Sequence, residues 1–166
     1  MRSVLIGGLA LLLAACGGAP ALTAAPSVSG SLGAMGADGF FDLSGNPVSL
    51  SADLGSPVVL AFLSPADGDS GAELPLLIRL AGAYQVNGVG FVVVGEGASA
   101  TTLAQWASAD QLPFPVWQDP TGTGLTDRGF SGVPDTQFID RRGDVVASEA
   151  GFLSRGQLLE GLARID

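Results

Sequence analysis

The sequence predicts an α/β domain, a mixed central sheet flanked by helices. Val58–Leu63 and Gly90–Val94 are apolar runs with no polar alternation, the pattern of strands buried on both faces. A helical pattern lies between them, which makes the two strands parallel neighbours through a crossover. Two further strand pairs, each joined by a short turn cluster, add antiparallel strands at the start and end of the domain.

Each element follows in chain order. Phe40–Leu43 and Val48–Leu50 flank Ser44-Gly45-Asn46-Pro47 and form an N-terminal β-hairpin. After the strand Val58–Leu63, a helix from about Gly71 to Gln85 sets Leu74, Leu77, Ile78 and Ala81 on one face. Pro75 falls in its first turns, where proline is tolerated, and Asn87-Gly88 ends it. After the strand from Gly90, Thr101 or Thr102 caps a short helix bearing Leu103 and Trp106. Val116-Trp117 is a brief strand. Thr136–Asp140 and Val145–Ser148 flank Arg141-Arg142-Gly143-Asp144 as a second hairpin. Ser154 with Gln157 forms a capping box for a last helix carrying Leu158, Leu159, Leu162 and Ile165.

Composition excludes several classes of chemistry. The 166 residues carry a net charge of −9, arginine is the only basic side chain, and histidine is absent. Nucleic acid is not an expected partner, because phosphate contacts need a basic face. Without histidine there is no Ser-His or Cys-His nucleophile pair and no imidazole metal ligand. Without lysine there is no Schiff base. The single cysteine, Cys16, forms neither an internal disulfide nor a paired-cysteine site.

That cysteine has another role. Met1-Arg2 gives a positive start and Ser3–Ala15 is apolar, too short for a spanning helix of about 20 residues. Leu13-Ala14-Ala15-Cys16-Gly17 is similar to the bacterial lipobox, whose cysteine receives lipid and becomes the new N-terminus. Residues 1–15 are then a lipoprotein signal peptide and 16–38 a Gly/Ala/Pro/Ser tether, spanning roughly 25 Å as a flexible chain. Residues 39–166 form the domain. The expected location is the cell envelope, outside the inner membrane, with lipid on Cys16 as the membrane contact.

From Phe40 to Ile165 the chain resembles the TlpA-like, membrane-tethered thioredoxins, redoxins related to the AhpC/TSA proteins. Phe41-Asp42-Leu43-Ser44-Gly45-Asn46-Pro47-Val48-Ser49-Leu50 matches their F-x-L-x-G-x-P-V-x-L entry. Val58–Phe62 matches a V-V-L-x-F strand, and Gly132-Val133-Pro134-Asp135-Thr136-Gln137-Phe138-Ile139-Asp140-Arg141-Arg142-Gly143 matches G-V-P-T-T-F-L-I-D-x-x-G. Glu73 and Pro75 match the end of W-C-x-x-C-x-x-E-x-P and fix the register. In that register Asp67 stands at the first cysteine and Ser70 at the second, with Gly68 and Asp69 between them and Ala66 in place of the tryptophan.

The resemblance implies a thioredoxin-like fold but carries over no catalytic residue. Disulfide exchange needs a thiolate, so the expected function is a redox-inactive binding or accessory module. The alternative is the thiol–disulfide oxidoreductase or peroxiredoxin-type antioxidant enzyme implied by the family label, and the missing cysteines count against it. No cofactor is expected. For Asp67 and Asp69 the plain reading is that one caps the following helix. Other readings are a hard-cation site from Asp67, Asp69 and Glu73, or a carboxylate acid/base pair. Glu73 reads either as a first-turn acid favourable to the helix dipole or, by resemblance, as the glutamate beside the active cysteines. The resemblance also implies a cis Val133-Pro134 bond; Gly132, Val133 and Pro134 read either as a groove for an extended protein segment or as a loop that keeps its proline for geometry alone. Trp106, Trp117 and Phe130 either line a groove or belong to the core.

Overall fold

The computed structural model describes residues 39–53 and 55–165. The expected signal peptide, Cys16 and the expected tether lie outside the described residues. The chain runs through β1 (Phe40–Asp42), β2 (Pro47–Val48), β3 (Val58–Leu63) and α1 (Gly68–Tyr84), then β4 (Gly90–Gly95), α2 (Ala100–Ala109), β5 (Val116–Gln118) and α3 (Thr123–Thr126). It closes with β6 (Asp135–Ile139), β7 (Val145–Ala150) and α4 (Arg155–Ile165).

The strands form one sheet in the order β2-β1-β5-β4-β3-β6-β7. The β3–β4 and β4–β5 pairs are parallel. The β1–β2, β1–β5, β3–β6 and β6–β7 pairs are antiparallel. Alternation of side chains along the strands gives each face its own core. One face carries Val59, Ala61, Leu63, Phe91 and Val93, covered by Leu74, Leu77 and Leu80 of α1 and Leu158, Leu162 and Ile165 of α4. The other carries Leu60, Phe62, Val92 and Val94 with Phe40, Leu50, Trp117, Leu125 and Phe130. The short β5 joins the N-terminal hairpin to the parallel strands, because it pairs with both β1 and β4.

Local chemistry explains the hairpin and several departures from expectation. The Asp42 carboxylate accepts the Ser44 and Asn46 amides, both at 2.8 Å, and Gly45 takes a φ of 86°, which suits glycine. The hairpin strands are shorter than predicted, and the fully buried Leu50 begins a 3-10 turn, Leu50–Asp53, rather than extending β2. Helix α1 starts at Gly68 rather than Gly71, so Pro75 lies in its interior, not its first turn. Proline lacks the N–H that would reach the Gly71 carbonyl. Helix α2 is capped by Ser99, which accepts the Thr102 amide at 3.2 Å, so neither Thr101 nor Thr102 is the cap. The last helix begins after Ser154, whose amide donates to Gln157 Oε1 at 3.0 Å. Gly161 of α4 permits close contact with β6, since a Cβ there would collide with the Phe138 ring.

Candidate functional site

The strand β3 leaves the sheet at Leu63 and enters the turn that precedes α1. Asp67 has extended backbone at φ −99° and ψ 132°, and it is the N-cap. Its carboxylate accepts the Ser70 amide at 2.7 Å. That hydrogen bond, above all, holds the Asp67 carboxyl below the ordinary carboxylate range. Ser70 is fully buried, and its hydroxyl accepts the Ser64 amide at 3.2 Å. Asp69 lies in the first turn and Gly68 opens the helix. The two side chains at the cysteine positions of the resemblance are therefore both used to close the turn. The chain has no histidine to take the Ser70 proton.

Glu73 differs from the first-turn reading. It is in the second turn of α1, points into the protein and is 0% exposed. It accepts the Thr136 hydroxyl at 3.0 Å and the Leu153 amide at 2.7 Å. One carboxylate thus ties α1 to β6 and to the segment entering α4. Burial raises the Glu73 carboxyl above its usual range, and the nearby Asp135 adds to this, while its two hydrogen bonds act the other way. Asp135 is raised too, mainly by burial, although it accepts the Gly151 amide at 2.9 Å. Glu73 is turned to these partners while Asp67 holds Ser70, so the trio proposed for a cation is not brought together. Among the described residues, no group of three or more acidic, cysteine or histidine side chains converges on a possible metal site.

The Val133-Pro134 peptide is cis. Antiparallel pairing sets Phe62 opposite Asp135, so the 132–134 loop and the 64–67 turn leave the same end of the sheet. A cleft of about 260 Å³ opens there, lined by residues 129–135 with Ala150 and Gly151. Phe152, an exposed aromatic, follows its rim. Of the three aromatics singled out from sequence, Phe130 lines this cleft. Trp117 lines a larger one, about 500 Å³, beside Pro47, Val58 and Gly90 at the starts of β3 and β4. Trp106 packs against the core beneath α1 and α4.

Sequence reasoning missed one pair at the same end of the sheet. Glu96 follows β4 and Asp119 follows β5, and both are buried. The signal available was an acidic residue immediately after each of two adjacent apolar strands.

The fold and this site define a thioredoxin-like protein whose active-site turn carries a carboxylate and a hydroxyl where thiols would stand. The pattern of the AhpC/TSA family matches residues 22–148, and the chain belongs to that family. No curated protein matches it. Among solved structures it is similar to a Chlorobium tepidum protein assigned as the thiol:disulfide interchange protein DsbE, at 28% identity and a TM-score of 0.65, covering 73% of this chain and 88% of that one. A secreted Mycobacterium tuberculosis disulfide oxidoreductase homologous to Escherichia coli DsbE is 26% identical with a TM-score of 0.63, covering 74% and 91%. The exposed lipoprotein thioredoxin Etrx1 of Streptococcus pneumoniae is 25% identical with a TM-score of 0.61, covering 75% and 96%.

Proposed function

We propose that this protein is a lipid-anchored, redox-inactive thioredoxin-fold module of the cell envelope that holds an extended segment of a partner protein at its 132–134 loop. The observation that carries this reading is the turn itself. Asp67 and Ser70 stand at the thiol positions, and both are engaged in closing a well-formed helix N-terminus. The binding face beside them keeps its cleft without needing sulfur. Location at the envelope is supported by the lipobox-like Leu13–Cys16. It is also supported by the secreted and lipoprotein character of two similar structures. Among the described residues no helix is long and apolar enough to cross a membrane.

Two experiments test the reading. In insulin-reduction and peroxide-consumption assays the chain is expected to show no turnover above buffer, and clear turnover would overturn redox inactivity. A photocrosslinker at Ser131, in intact envelopes, is expected to capture a discrete partner, and Val133→Asp to abolish that capture; capture indifferent to the change would remove the groove from the proposal. The anchor has its own expected result. The mature chain begins at a lipid-bearing Cys16, and Cys16→Ser stops processing there, as intact mass spectrometry would show. An unmodified Cys16 in the mature chain would contradict it.

A further inference from the structure

At the ends of β4 and β5 two acids meet. The parallel register sets Val94 beside Trp117 and Gly95 beside Gln118, so the next opposed residues are Glu96 and Asp119. Alternation puts this pair on the face of Val94 and Trp117, the face that Phe40, Phe62 and Leu125 also occupy. Glu96 is 8% exposed and Asp119 is 4% exposed. Asp119 already has donors on both oxygens, the Leu125 amide at 3.1 Å and the Thr121 hydroxyl at 3.4 Å. Glu96 Oε1 has no partner. The turn lies close over the pair. A Cβ at Gly124 would collide with the Phe40 ring and stand 3.0 Å from Asp119 Oδ2.

Two adjacent buried carboxylates do not both ionise readily, and the one supplied with donors keeps the charge. Glu96, whose Oε1 has no donor, is therefore the proton carrier of the pair. We propose that Glu96 and Asp119 share one proton, and that this shared proton holds the β5–α3 turn onto the sheet in mild acid and releases it when the proton leaves for solvent.

The surroundings agree with this assignment. The Glu96 amide donates to the Leu63 carbonyl, and α2 presents the apolar Leu103 against Gly95. Arg128, just beyond α3, gives its Nη1 to the Gly124 carbonyl at 2.8 Å and lies over the Phe40 ring. Asp67, at the start of α1, is bound to the Ser70 amide. Burial first, then the charge of Asp119 and the hydrogen bond to it, push the Glu96 carboxyl up to about 7.

The sign follows by linkage. The ordinary value is 4.5, so from there to about 7 the folded chain keeps a proton that the unfolded chain has lost. Stability from this pair is complete below that window and falls as pH rises through it.

The test is amide hydrogen exchange at Leu125, whose N–H donates to Asp119. In the full-length protein, after correction for intrinsic rates, protection at Leu125 is expected to fall about tenfold or more between about pH 5.5 and about pH 8. In Glu96→Gln, which keeps shape but holds no titrating proton, protection is expected to stay level. Unchanged protection in the natural chain, or the same fall in Glu96→Gln, would overturn the proposal. A second measurement does not depend on the variant folding. Carbon-13 NMR of the Glu96 carboxyl in the natural chain is expected to titrate near 7. A midpoint at the ordinary glutamate value of 4.5 would also overturn it.

Discussion

A chain carrying Asp67→Cys together with Ser70→Cys, in a Cys16→Ser background, is expected to close a disulfide under mild oxidation and to gain thiol-dependent insulin reduction from a zero baseline. The geometry favours the pair. Asp67 is the N-cap, Ser70 lies three residues on in the first turn, and the Asp67 side chain already reaches the Ser70 amide at 2.7 Å. The helix N-terminus should lower the first thiol below its free value of about 8.5. Asp69, in the same turn, opposes that by charge. Glu73 opposes it less than sequence spacing alone suggests, because its carboxyl is buried against Thr136 and Leu153. Losing the aspartate cap costs about 0.5–2 kcal/mol. Free-thiol counting and iodoacetamide reactivity against pH would read the outcome. A pair that stays reduced in a folded protein would show that the turn no longer suits a dithiol, and the assignment of Asp67 and Ser70 to the two thiol positions would fail.

Glu73→Ala is expected to cause the largest loss of stability of any change at this site, about 3–5 kcal/mol, read as a lowered urea midpoint. The change strands the Leu153 amide and the Thr136 hydroxyl, each worth about 1–3 kcal/mol when buried without a partner, and leaves a cavity behind. For a domain of ordinary stability, about 5–15 kcal/mol, that is a large fraction. Glu73→Gln keeps the shape and one good acceptor, so its cost should be about 1–2 kcal/mol. Because the folded protein raises the Glu73 carboxyl, its contribution is complete below the ordinary value of 4.5 and declines as pH rises past it. A loss in Glu73→Ala no greater than an ordinary surface change, about 0.5 kcal/mol, would show that the clasp between α1, β6 and α4 is not structural.

How far the sequence revealed this molecule depended on the range of the forces involved. The parallel strands were legible because Val58–Leu63 is buried along its whole length, so every residue had to be apolar. The last helix was legible because Ser154 and Gln157 satisfy each other locally. The start of α1 was not, since Gly68 and Gly71 look like breakers until the Asp67 cap is seen to hold the first turn. The helix α3 was missed because it is only four residues long, and its Leu125 amide is met by a carboxylate six residues earlier. Glu73 was placed at the site but misread, because its partners lie 63 and 80 residues away. Glu96 and Asp119 were not seen at all. Their meeting depends on the β4–β5 register, which no local pattern specifies.

The occupied state of the turn before α1 has a kinetic meaning. In an exchange protein, a thiolate at this position captures its client as a mixed disulfide, and departure waits on a second thiol. Here the Asp67 carboxylate is committed to the Ser70 amide and the Ser70 hydroxyl to the Ser64 amide. On the function proposed above, a protein lodged against this face is held by contact alone. Its residence time follows from an off-rate, and glutathione or peroxide in the surroundings has no sulfur at the turn through which to change it.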